Sequence, residues 1–227
     1  VIGIIGGGVP FILFFTGLAQ ASAPSAAFIQ KTLFVWVAIL AVPFLGERLG
    51  LAQLAAVGVL LAGLTLVAPP TGLSWGSGET MIAAATLLWA VEAIMAKRLL
   101  RGVPVAVLGV GRLGIGLLVL VGYLLATGHA SLVLALDGAQ MLAVLGTGVL
   151  LAGYVATWFA ALKRAPASLV TAVLVVGAPV TAMLQAIQGG GIPAPSPVLA
   201  GEAAILLAAG VLALLAVRRP RTAPAAA

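Results

Sequence analysis

Three charged residues interrupt stretches of this sequence that are otherwise apolar: Lys31, Glu92 and Arg112. A charge at the centre of a hydrocarbon layer costs about 2.5–3.5 kcal/mol on insertion scales. Each then needs a partner, water or a route to the surface. Glu92 and Arg112 flank the short connection Leu100–Val103, and the mean of their numbers, 102, falls inside it. An antiparallel helical hairpin brings both to one depth, about 10–12 Å from that connection at 1.5 Å rise per residue. If their faces meet they form a buried ion pair. Two roles stand open for it: a brace that closes the hairpin, or a proton- or substrate-coupled pair lining a cavity. Separate exposure of the two charges to water or headgroups is the remaining arrangement.

Lys31 lies about 9 Å inside the nearer end of its apolar stretch, and no acidic residue shares its depth. It snorkels to the headgroups, or attracts an anionic group such as a carboxylate into a water-filled cavity, or pairs with a residue on helices beyond those visible. Four aromatic residues, Trp36, Trp89, Tyr154 and Trp158, also lie within apolar stretches. Trp89 and Glu92 are three apart and share a helix face; Tyr154 and Trp158 are four apart and share another. Aromatic walls with a few polar groups suit a small organic solute, and helix packing accounts for each ring equally well. These residues are the cavity candidates.

Catalytic chemistry finds little to work with. The absence of cysteine excludes a disulfide framework and a thiolate metal site. The single histidine, His129, falls in a connection, and no acidic pair sits at ligand spacing on one helix. Glu79 and Glu202 fall near helix ends, where exposure to water is expected. No Gly-x-x-x-x-Gly-Lys-[Ser/Thr] loop is present, so ATP is not a direct energy source. No catalytic residue, metal or cofactor is therefore expected.

The elements that must position these residues follow from composition. Hydrophobic residues make up 63% of the 227 and charged residues 7%, with a mean hydropathy of +1.28. Soluble domains carry about 25% charged residues, so the solvent for most side chains is lipid. A span needs about 20 apolar residues. Reading between breaks gives eight: 2–20, 25–45, 51–68, 79–99, 104–126, 138–162, 167–187 and 198–217. Their continuity fits helices and not the alternating strands of a barrel. Pro24, Pro104 and Pro166 belong at or beside helix starts, while Pro10 and Pro179 should kink the spans that contain them. Gly3/Gly7, Gly58/Ala62 and Gly148/Ala152 are spaced for close helix approach.

Charge sets the orientation. The net charge is +6, and nine of the eleven basic residues fall in or beside every second connection or in the tail: Arg48, then Lys97/Arg98/Arg101, then Lys163/Arg164, then Arg218/Arg219/Arg221. The positive-inside rule makes those connections and the C-terminus cytoplasmic, with His129 and Asp137 outside. This is a membrane pattern, not a nucleic-acid footprint.

Phe15/Phe159, Leu18/Leu162, Ala21/Ala165, Ala23/Ala167, Ala38/Ala182 and Leu40/Leu184 match at an offset of 144. The spans so paired run in opposite directions, as in an inverted repeat. The sequence resembles the drug/metabolite transporter superfamily, and its EamA-type members in particular. The resemblance is carried by Phe15–Gln20 with Ala21–Ala27, by Gln30-Lys31-Thr32, by Leu45-Gly46-Glu47-Arg48-Leu49, and by Gln53-Leu54…Gly58…Leu61-Ala62-Gly63. In the second half Leu162–Ser168 and Gly201…Ala209-Gly210-Val211 correspond, whereas Gly189-Gly190-Gly191-Ile192-Pro193 stands where a Gly-Glu turn is often found.

The resemblance implies an all-α integral membrane protein with ten helices in two inverted five-helix repeats (5+5), of which eight are visible. Residues 1–68 would supply the last three spans of the first repeat, 69–78 an inter-repeat loop, 79–217 the second repeat and 218–227 a basic cytoplasmic tail. It also implies a secondary or facilitative transporter of small metabolites, amino acids or drug-like compounds in the cell membrane. An exporter working by alternating access is expected, with proton coupling one reading of Glu92. The expected partners are the lipid bilayer and a small-molecule substrate, with no nucleic acid. A non-transporting membrane scaffold and an intramembrane enzyme are the alternatives.

Overall fold

The computed structural model describes residues 1–67, 75–185, 187 and 196–218. Every regular element among them is helical. A π-helical stretch, Gly3–Gly8, runs into α1 (Val9–Leu18). Then come α2 (Ala23–Lys31), α3 (Leu33–Leu45), α4 (Leu51–Val67), α5 (Ser77–Leu99) and α6 (Val105–Ala126). The short α7 (Ala130–Leu134) precedes α8 (Gly138–Arg164) and α9 (Ala167–Val173). A 3-10 turn, Leu174–Val176, links α9 to α10 (Gly177–Gln185), and α11 spans Pro197–Arg218.

Among the described residues six segments are long and apolar enough to cross a membrane: Ala23–Leu45, Ser77–Leu99, Val105–Ala126, Gly138–Arg164, Ala167–Leu184 and Pro197–Leu215. The segments Gly3–Leu18 and Leu51–Val67 are apolar but shorter, at most 17 residues, which reach about 26 Å against a layer of about 30 Å. Most of the expected inter-repeat loop, the Gly189–Pro193 stretch and the tail beyond Arg218 lie outside the described residues.

Helix ends follow local chemistry. Ser22 Oγ accepts from the Ser25 N–H at 3.2 Å, with Pro24 in the first turn of α2. Pro104 and Pro166 sit at the N-caps of α6 and α9. Asp137 and Gln140 form a reciprocal capping box at the start of α8. Gly46, at φ 68°, closes α3 in the left-handed conformation that only glycine adopts freely. Glu79 departs from expectation. It is buried, and its Oε2 accepts the Gly76 N–H at 3.1 Å, capping α5 instead of facing water. Glu202 is half-buried and His129 exposed.

Packing brings α4 against α11, α1 against α5, the Gly3–Gly8 stretch against α6, and α3 against both α5 and α9. Gly3 and Gly7 act as the spacing implies: a Cβ on Gly7 would meet the Arg112 carbonyl oxygen at 2.5 Å. Gly58 and Gly148 do not, because open space surrounds both. The close approach of α4 to α11 is made by Gly63 and Gly201, each of whose absent Cβ would press on the other's carbonyl.

Two spans are broken midway. The α2–α3 span turns at Thr32, whose hydroxyl donates to the Ile29 carbonyl at 2.6 Å. The α9–α10 span turns at Leu174–Val176, just before Pro179. Residues 30–32 and 174–176 stand 144 apart in sequence.

Candidate functional site

Glu92 on α5 and Arg112 on α6 meet as a buried ion pair, with Arg112 Nε donating to Glu92 Oε1 at 2.7 Å. Arg112 Nη2 also donates to the Gly6 carbonyl at 2.9 Å and lies 3.5 Å from Glu92 Oε2. Gly6 owes its availability to Pro10. Proline has no N–H to return to the carbonyl four residues earlier, so that oxygen lacks its usual α-helical donor. The same oxygen accepts Trp89 Nε1–H at 3.1 Å. A main-chain kink in one helix thus anchors a cation and an indole from two others.

The pair forms part of the wall of a cavity of about 280 Å³. Phe11, Phe14 and Phe15 from α1, Trp89 from α5, and Tyr154 and Trp158 from α8 supply its rings. Trp89 packs edge-on to Phe11 at 5.5 Å, and Tyr154 stacks on Trp158 at 6.2 Å between centroids. Rings of this kind offer flat apolar area at low conformational cost. A second cavity, of about 270 Å³, is lined by Lys31 with Thr171 and Thr181. Gln30, Leu33 and Leu174 line both. These are the residues at the two helix breaks, so the discontinuities and the cavities coincide.

The structure therefore brings Trp89, Glu92, Arg112, Tyr154 and Trp158 to one lobe and Lys31, half-buried, to its neighbour. Trp36 joins neither; it is 39% exposed on the outside of α3.

Below the cavities, the ends of the helices that carry the basic residues are tied together. Glu47 accepts hydrogen bonds from the Ala167 N–H at 2.5 Å, the Ser168 N–H at 3.2 Å and the Ser168 hydroxyl at 2.5 Å, capping α9 from 120 residues away. Lys97 donates to the carbonyls of Leu162 and Ala165, and Arg98 to that of Phe44. The Arg98 guanidinium also lies 5.9 Å from the centre of the Phe44 ring. Nothing in the residue pattern announces these ties. A Gly-Glu turn preceding a helix looks solvated, and only the tertiary fold shows it facing the start of α9.

The sequence matches the EamA-like transporter family over residues 1–68 and 76–216. The chain belongs to the EamA-like transporter family. It is thus a membrane transporter of small molecules by family, and the family points away from enzymatic activity. No curated protein matches it in sequence. Solved structures do match, 24 chains in all. One, described only as "Crystal structure of protein", superposes with a TM-score of 0.76 at 22% identity, covering 94% of this chain and 77% of that one. At that identity the likeness concerns the fold.

Proposed function

We propose that this EamA-like transporter moves small organic solutes by alternating access, with the two adjoining lobes as its solute site. The observation that carries the reading is the placement of both lobes at the paired helix breaks, one of them against the buried Glu92–Arg112 pair. Broken helices beside a central cavity supply exposed main-chain groups where a solute needs them. The offset of 144 supports an inverted repeat. It relates the two breaks, and it carries α2 onto α9 and α4 into α11, the helix it packs against.

On this reading all eight apolar segments cross the bilayer, within a ten-helix 5+5 plan. The end bearing Lys97 and Arg98 is cytoplasmic, as is the C-terminus. The ties around Glu47 join helix ends on that side, which supports a conformation closed there, and the direction read here is export. Lys31 receives the anionic group of a solute, with Thr171 and Thr181 as neutral neighbours.

The test is efflux from liposomes holding the complete protein, over a panel of carboxylates at two external pH values. Lys31→Ala should abolish carboxylate flux and leave insertion intact. Unchanged flux would remove Lys31 from the site, and no saturable flux of any solute would remove the transport reading. Exchanging the pair (Glu92→Arg with Arg112→Glu) separates its two roles: folding regained without transport marks coupling, and both regained marks a brace.

A further inference from the structure

We propose that the two lobes hold the two ends of a single solute: a monoanion in which a short chain joins a carboxylate, held at Lys31, to an aromatic ring, held in the aromatic lobe. This rests on reading the lobes as the solute site and names its substrate class. Gln30, Leu33 and Leu174 belong to the walls of both lobes, so the two meet along a common side. At about 270 and 280 Å³, each alone falls just short of the roughly 300–1,000 Å³ typical of a small-molecule site. Joined, they lie within that range. Two of the three shared residues are leucines, which suit a stretch of methylene groups. The third, Gln30, carries an amide that can donate to the carboxylate.

The two lobes differ in charge and in the shape of their walls. In the aromatic lobe Glu92 and Arg112 neutralise each other at 2.7 Å, so this end takes an uncharged group. Phe11 and Phe14 pack on Trp89 at 5.5 and 5.6 Å between centroids, and Tyr154 stacks on Trp158. An aromatic ring entering among them gains edge and face contacts beyond its area, which a saturated ring of similar size does not. At the other end, Lys31 is the one cationic residue in the described wall of its lobe. The hydroxyls of Thr171 and Thr181 already donate to main-chain carbonyls, Thr171 to those of Ala167 and Ser168 and Thr181 to that of Gly177. They have no hydrogen left for an anion. One ammonium group thus matches one negative charge, and a dianionic phosphate would bring a second without a counterpart.

The experiment is calorimetry on the complete protein in nanodiscs, with empty nanodiscs subtracted, at about pH 7.5, where a phosphate monoester is largely dianionic. The probe is hydrocinnamate. It is compared with hydrocinnamyl alcohol (charge removed), cyclohexanepropanoate (ring saturated), propanoate (ring removed) and phenethyl phosphate (second charge added). Hydrocinnamate is expected to bind at least about tenfold more tightly than the alcohol. It should lead cyclohexanepropanoate, the more apolar of the two, by at least about threefold, and bind ahead of propanoate and the phosphate. Lys31→Ala should erase the advantage over the alcohol and leave binding of the alcohol unchanged. Any of the four compounds binding as tightly as hydrocinnamate, no binding of hydrocinnamate, or an advantage over the alcohol that survives in Lys31→Ala would overturn the proposal. Should that variant fail to fold, the comparisons in the unaltered protein decide alone. These preferences without flux in liposomes remove the transport reading and leave this one; saturable flux of other solutes without these preferences does the reverse.

Discussion

Between Met141 and Leu150, α8 leaves its large apolar side chains in the open, with Leu142 72% and Leu150 73% exposed. From Val155 onward the same helix is packed, and Phe159 and Leu162 are completely enclosed. Both halves are largely apolar, although the aromatic residues of α8, Tyr154, Trp158 and Phe159, all fall in the second. The difference lies in what they meet. The second half reaches the end where α3, α5 and α9 converge, and there Val37, Ala41, Leu100 and Ala167 complete one apolar cluster. Around that cluster stand the hydrogen bonds of Glu47, Lys97 and Arg98. In hydrocarbon an apolar side chain gains little by leaving lipid for protein, so close packing and polar ties decide which faces join.

Breaking the centre of the packed half should have the largest effect. Glu92→Gln leaves Arg112 buried and unpaired, and should lower stability by about 3–5 kcal/mol in thermal unfolding in nanodiscs. Removing Arg112 as well, in a Glu92→Gln/Arg112→Gln chain, should recover most of that loss. Next, Leu162→Ala should cost about 2–5 kcal/mol, while Leu150→Ala stays within about 0.5 kcal/mol. Equal costs would erase the contrast between the two halves.

A smaller effect is expected at the tie itself. Glu47→Gln weakens three charge-assisted hydrogen bonds, with an expected loss of about 1.5–3 kcal/mol. The chain contains no cysteine, so a single Thr181→Cys beside Lys31 can report on access. In the Glu47→Gln background its labelling by an impermeant maleimide, added at the basic end, should rise roughly tenfold. An unchanged rate would mean that Glu47 does not hold that end shut. Least of all, Arg98→Ala should cost about 0.5–1 kcal/mol, since its contact with Phe44 is exposed.

Much of this arrangement is legible in the sequence, and the rest is not for a physical reason. Glu92 and Arg112 can be paired from numbers alone, because a short hairpin connection fixes equal depth and a lone charge in lipid demands a partner. Tyr154 and Trp158 share a face by helical spacing. Trp36 has the same credentials as Trp89, yet it points outward, because lipid accepts an indole as readily as protein does. Gly63 and Gly201 are invisible as a pair, since they lie on helices far apart in sequence. Glu47 is missed because its partners are main-chain N–H groups, which carry no signature.

The Gly6 carbonyl has a consequence for how this centre tolerates change. Every amino acid brings a carbonyl, so no substitution at position 6 can delete the acceptor that holds Trp89 and Arg112. What a substitution can delete is room: a methyl group there would fall 2.4 Å from Glu92 Cδ. The chemical role is written into the backbone and the vulnerability into a missing side chain. Position 6 should therefore drift less freely than the aromatic residues around it, although it contributes no functional group of its own.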